Sequence, residues 1–190
     1  MSAASMLAYV FWHTRRQDVT REEYEQRLFD FHKVLRANAP AGAHGSRVLR
    51  LAGAPWLASA GNASETYEDW YFLEDSAGLD RINEAAVSGA RQAPHDGVAR
   101  LAAAGIAGLY RIRSGKRDLR APRALWFSKP GAMSYAALAE RFQGRASGEA
   151  LWMRQMTLGP TPEFCLQSGA GLPDGLTAQA SLAIEATWDF

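Results

Sequence analysis

Met6-Leu-Ala-Tyr-Val-Phe-Trp-His13, followed after a short gap by Thr20-Arg-Glu-Glu-Tyr-Glu-Gln-Arg-Leu-Phe-Asp-Phe-His-Lys-Val-Leu35, sets the architecture. The first stretch is apolar at nearly every position and rich in β-formers. Leu7, Tyr9, Phe11 and His13 share one face and Ala8, Val10 and Trp12 the other, as in a central strand buried on both sides. In the second stretch Thr20 and Glu23 form a capping box. Tyr24, Leu28, Phe31 and Leu35 then recur at spacings of four, three and four, which predicts an amphipathic helix ending near Ala37, before Asn38 and Pro40.

Working outward, Ser46 to Ala52 and Thr66 to Glu74 read as strands, joined by the Gly/Pro/Ser-rich segment 53–64, long enough to form a mobile loop over a pocket mouth. A second helical region starts near Ser76, breaks around Pro94 and resumes through Val98 and Leu101, and Ile106 to Ile112 closes the unit as a strand. The order β-α-β-β-α-β is the split arrangement of ferredoxin-like folds. Residues 111–123 hold six basic side chains broken by Gly115, Asp118 and Pro122, which suits an exposed linker better than a nucleic-acid patch. The pattern then restarts. Arg123 to Ser128 reads as a strand, Ser134 caps a shorter helix through Leu138 and Phe142, Glu149 to Leu158 and Glu163 to Ser168 pair around Gly159-Pro160, and Ala178 to Phe190 is a final strand. The Gly/Pro-rich stretch between Ser168 and Ala178 leaves no room for a second helix. The expectation is an α+β chain of two ferredoxin-like units in tandem, 1–115 and a reduced copy over 123–190, joined by 116–122. A half that cannot cover its own sheet must bury it on the other.

Composition narrows the function. Of 190 residues, 47% are hydrophobic, and 21 Lys and Arg nearly balance 20 Asp and Glu. A formal charge of +1 gives no footprint for nucleic acid or an anionic membrane, which leaves small molecules and other protein chains as partners. The single cysteine, Cys165, excludes an internal disulfide and a thiolate zinc site. A chain start without a basic segment and an apolar run too short to span a bilayer suggest a cytoplasmic protein, so the Asn62-Ala63-Ser64 sequon reads as accidental.

The segment Thr20 to His32, with Leu35 and Pro40-Ala-Gly42, resembles the first helix and following turn of EthD-like proteins of the dimeric α+β barrel superfamily. Leu28 stands where that family usually has tryptophan, and Val34 where a proline often follows the histidine. The resemblance implies two ferredoxin-like units pairing antiparallel sheets into one barrel, here within a single chain, with a ligand cleft between a sheet and its helices. It also implies chemistry on aromatic or polyketide-like compounds by cyclases, dehydratases or cofactor-free oxygenases, and in some branches haem binding. Many relatives have no assigned activity. Two such chains could still pair through remaining sheet edges.

Candidate chemistry centres on histidine, the side chain that exchanges protons near neutral pH. His32, at the border of the helix stripe, could point into a cleft or along the surface. His13 ends the first strand on the face of Tyr9 and Phe11, and a pair of histidines with Tyr9 or Tyr71 nearby would make an acid/base set. Asp69 interrupts the third strand on the face of Tyr67 and Tyr71, and needs Arg50, Arg47 or a histidine as partner. His32, His13 and Asp69 are thus the candidate catalytic residues, with Tyr9, Phe11, Tyr71, Trp70 and Arg50 as candidate substrate contacts. Each has a structural alternative: a bonded helix histidine, an ion pair, a filled core. Trp70, Trp126, Trp152, Met153 and Met156 read equally as barrel core or as lining for a flat ligand. His44 and His95 fall in loop-like sequence and read as solvated. No histidine spacing signals a metal site, and no dinucleotide, P-loop or nucleophile-elbow motif is present. No cofactor is therefore required, with haem as the alternative that the resemblance leaves open.

Overall fold

The computed structural model describes residues 6–57, 65–117, 120–145, 148–157 and 161–190. The elements are β1 (Leu7–Arg15), α1 (Arg21–Ala37), β2 (Ala43–Leu51), β3 (Thr66–Leu73), α2 (Ala77–Ala86), α3 (Gln92–Ala99), β4 (Ala102–Gly115), β5 (Arg123–Phe127), α4 (Tyr135–Arg141), β6 (Ala150–Thr157), β7 (Phe164–Gln167) and β8 (Ala180–Asp189). All strand pairs are antiparallel and close into a barrel in the order β1-β3-β2-β8-β5-β7-β6-β4. The first four strands stand in the order β4-β1-β3-β2 and the last four in the order β8-β5-β7-β6. These are the same order read from the first to the fourth strand of each half.

Strand alternation decides what each face meets. Ala8, Val10, Trp12, Trp70, Trp126 and Trp152 point into the barrel and form one core. Leu7, Val48, Tyr67 and Tyr71 point outward and form a second core with Tyr24, Leu28, Phe31 and Leu35 of α1. A third cluster covers the outer face of the later strands, with Leu125, Phe127, Leu151, Phe164 and Leu166 under Leu138 of α4. Thr20 caps α1 by accepting from the Glu23 amide at 3.2 Å, and Ser134 caps α4 by accepting from Ala137 at 3.0 Å.

Four local readings are corrected. The break in the second helical region falls at Val87–Ser88, not at Pro94, which lies in the first turn of α3 where no intrahelical N–H is needed. The last strand of the first half runs from Ala102 to Gly115, so the basic stretch is partly strand, and β4 continues past β1 to pair with β6. Residues 53–57 do not hang over a pocket mouth. The turn Pro55–Leu57 drops Trp56 into the barrel against Trp12 and Trp126 at 5.5 and 5.4 Å. Residues 58–64 of that loop, with the Asn62 sequon, and the Gly159-Pro160 turn lie outside the described residues. Finally, the stretch after Ser168 does cover a sheet: Leu172, Leu176 and Ala178 pack on the third cluster, so apolar loop side chains do the work of the missing helix.

Candidate functional site

His13 and Asp69 meet because β1 and β3 are neighbours and both side chains lie on the outward face, where Phe11 is registered opposite Asp69 and His13 opposite Tyr67. His32 reaches the same carboxylate from α1 above. The three residues proposed from sequence as catalytic therefore do converge. His32 is fully buried and His13 and Asp69 are each 2% exposed, so a charged group here has lost its water and depends on its neighbours.

Asp69 Oδ2 gathers those neighbours. His32 Nε2 lies 3.2 Å away, Tyr71 donates its hydroxyl at 3.1 Å, and His13 Nε2 lies at 3.2 Å but out of line for a hydrogen bond. Burial pushes the Asp69 carboxyl up, but the charge and hydrogen bonding of His13 and His32 more than offset it and hold it well below the usual carboxylate range. An ionised carboxylate only accepts, so His32 Nε2 donates to it, and His32 Nδ1 shares a 2.7 Å hydrogen bond with the Ser46 hydroxyl. His13 Nδ1 shares a 2.6 Å hydrogen bond with the Tyr24 hydroxyl. Burial, then the Asp69 charge, raises Tyr24 far above an ordinary phenol, and the same causes raise Tyr71, so both stay protonated. Asp69 Oδ1 and His13 Nε2 are left buried without a hydrogen-bond partner among the described residues.

These atoms border a cavity of about 400 Å³ between the sheet and the helices, at the small end of the roughly 300–1,000 Å³ typical of ligand pockets. Its floor holds Tyr9, Phe11, His13, Asp69 and Tyr71, and its roof Tyr24, Leu28, Phe31, Ile82 and Val98. Ala102, Ala103, Ala104 and Gly105 of β4 leave its side wall open. Phe11 lies stacked on His13 at 5.2 Å, and a Cβ on Gly105 would overlap its ring, so the glycine is what lets that ring lie flat.

The sequence candidates divide. Tyr9, Phe11, Tyr71, His13 and Asp69 line the cavity. His32 does not, since it stands behind Asp69 with its ring stacked on Tyr71 at 5.2 Å and against Phe190 at 5.2 Å. Trp70 is on the opposite face of β3 and points into the barrel, because a strand reverses its side chain at every residue. Arg50 is drawn away to Glu25 and Glu185 at 2.7 and 3.2 Å. Neither it nor Arg47, which pairs with Asp189, is the partner of Asp69. Trp126 and Trp152 are barrel core, Met153 packs on the third cluster, and Met156 is 63% exposed. His44 is exposed on β2, whereas His95, expected to be solvated in a loop, sits on α3 and lines the cavity. Tyr24 and Ser46 were missed as site residues. The signal for Tyr24 was its place in the α1 stripe, which any outward histidine on the underlying sheet must face. Among the described residues, no group of three His, Cys, Asp or Glu side chains could hold a metal ion, and no helix is long and apolar enough to cross a membrane.

No protein-family profile matches the sequence, and no curated protein does. Solved structures do resemble it. A Fusobacterium nucleatum protein called "Putative monooxygenase" superposes with a TM-score of 0.54 at 11% identity, over 98% of each chain. A protein of the same description from Lactobacillus acidophilus gives 0.51 at 9% identity, over 98% of this chain and 99% of its own. At such identity the likeness is one of fold, an α+β barrel shared along the whole length.

Proposed function

We propose that the protein binds a small, largely apolar carbonyl or phenolic compound in the cavity over Asp69 and exchanges a proton with it. The observation that carries this reading is a pair of buried atoms with no hydrogen-bond partner among the described residues, Asp69 Oδ1 and His13 Nε2, on two residues that line the cavity, beside one carboxylate oxygen already held by His32 and Tyr71. With Tyr24 donating to His13 Nδ1, the His13 Nε2–H is a donor for a ligand oxygen, and Asp69 Oδ1 is an acceptor for the hydrogen the ligand gives up. The proton that Asp69 Oδ1 accepts is returned to the ligand, while the hydrogen bond from His13 Nε2–H holds the charge that develops on the ligand oxygen. His32 is a positioning residue, aiming Asp69 and stabilising its charge, with Ser46 fixing its ring orientation. The "monooxygenase" description of the two structural neighbours is compatible with an oxygenase-type use of such a site, as are cyclase and dehydratase chemistry.

The same reading takes the chain as an EthD-like tandem of two ferredoxin-like units, 1–115 and 123–190 with 116–122 between them, working in the cytoplasm. The recurrence of one strand order in the two halves supports the tandem. No cofactor is part of this reading: the two site histidines already hold protein groups, His32 Nε2 on Asp69 and His13 Nδ1 on Tyr24.

The test is exchange of the α-protons of a hydrophobic aryl methyl ketone in D2O, followed by NMR. The protein should accelerate exchange, and Asp69→Asn and His13→Phe should each lower the rate by about 100-fold or more. Binding of the ketone with exchange no faster than buffer would leave a non-catalytic binding protein, the reading that the dense packing of Phe11, Tyr71 and Phe31 around the site would then favour.

A further inference from the structure

The cavity has a second polar end. Asn83 of α2 and His95 of α3 both line it, from the helix side and near its rim. Asn83 is exposed and its amide makes no hydrogen bond within the described residues. His95 is half-buried, with Nδ1 3.2 Å from Asp96 Oδ1, which leaves Nε2 for a ligand. Between them and the carboxylate cluster the lining is hydrocarbon: Leu28, Phe31, Ile82, Val98 and the small side chains of β4.

One side chain of the lining is in contact with groups at both ends. Phe31 stands edge-on to His32 at 5.5 Å and edge-on to His95 at 5.6 Å. Phe31 thus touches both the rim histidine and the histidine that backs Asp69, and the rest of the lining between the two polar groups is apolar. Among the described residues no lysine or arginine lines the cavity, and its inner end holds an ionised carboxylate. An anionic group at that end would meet the like charge of Asp69.

We infer that the ligand is ditopic: an uncharged, flat apolar body one to two rings long, with a hydroxyl or carbonyl at Asp69 and His13 and a second hydrogen-bonding group met by Asn83 and His95 at the rim. This rests on the reading of the inner end given above. Asn83 and His95 are then the residues that choose among ligands of similar inner chemistry, because a rim hydrogen bond rewards only molecules of the right length.

Three probes separate the two ends: 4,4′-dihydroxybiphenyl, 4-hydroxybiphenyl and biphenyl-4-carboxylate, with binding measured by calorimetry or NMR. The wild type should bind the diol about tenfold tighter than the mono-ol, the value of one well-placed hydrogen bond, and should bind the carboxylate most weakly. In Asn83→Ala/His95→Phe, which keeps the ring against Phe31, the two phenols should become equal, while Asp69→Asn should weaken both together. Equal binding of the two phenols to the wild type, or a preference for the diol that survives the rim substitutions, would overturn the ditopic assignment and leave the inner site standing. Failure of either phenol to bind would overturn the inner reading itself.

Discussion

Glu68 and Asp69 are consecutive carboxylates on β3 with opposite environments, and the contrast shows how much one step along a strand changes. Asp69 faces outward to imidazoles and is held ionised. Glu68 faces into the barrel, fully buried, with the Trp12 and Trp70 indoles donating to its two oxygens at 2.6 Å each. Burial pushes its carboxyl up to about 7, the two indole hydrogen bonds working against that and the neighbouring Asp69 charge adding to it. A folded-state pKa above the unfolded value means the native state holds the proton more tightly. Glu68 therefore favours folding most below about 4.5, and this contribution falls as pH rises until it is gone above about 7. The difference is worth about 3 kcal/mol. Chemical denaturation at pH 5 and pH 8 should show stability falling over that interval. Glu68→Gln should flatten that slope while costing stability at pH 5, since one indole then faces an amide NH2. An unchanged slope in the variant would assign the dependence elsewhere. Asp69 has the opposite sign, contributing at neutral pH and losing its contribution as pH falls into the acid range.

At the scale of the element, β4 does two jobs. Its first half, small at Ala102 to Gly105, leaves the cavity its side wall, and its second half crosses from β1 to β6 and joins the two sets of strands. The join ends at Gly115, whose φ of 87° only glycine adopts easily and whose missing Cβ leaves room for the Glu149 carbonyl. Gly115→Ala should cost at least about 2 kcal/mol, since the left-handed conformation alone costs an L-residue roughly 1–2 kcal/mol. That corresponds to a fall in Tm of about 4–8 °C for a chain of this size. Calorimetry would check it, and a loss under 1 °C would show that β6 shifts freely. The elements were also where sequence reading did best. The α1 stripe, the Thr20 and Ser134 caps and the two faces of β1 follow from local periodicity and turn chemistry, which act over a few residues and leave their mark in the sequence. Errors came where a neighbour distant in sequence set the outcome: Trp56 entering the barrel, Leu172 and Leu176 closing a sheet, Arg50 turned to Glu185.

For the molecule as a whole, the barrel's interior belongs to neither half alone. Trp12 and Trp70 from the first pack on Trp126 and Trp152 from the second, at ring distances of 5.0 to 6.4 Å. The site leans on both halves as well, since Phe190 lies against His32 and its backbone pairs with Ser46 at 3.0 and 2.9 Å. Residues 1–115 or 123–190 expressed alone should expose an apolar sheet face and bind a hydrophobic dye or aggregate. Co-expressed as separate chains, they should recover a soluble complex with quenched tryptophan exposure. A soluble, monomeric 1–115 with native-like near-UV circular dichroism would refute that dependence.

What the sequence determined by itself was most of the elements, their order, and the strand face that His13 shares with Tyr9 and Phe11 and that Asp69 shares with Tyr67 and Tyr71, because periods of 2 and 3.6 residues are written into one stretch of chain at a time. What only the tertiary structure decided was which groups meet. Tyr24 on His13, Ser46 on His32, His95 at the rim and Trp70 inside the barrel all depend on how strands close and where a helix sits over them. Those are properties of contacts between residues far apart in the chain, and no local pattern records them.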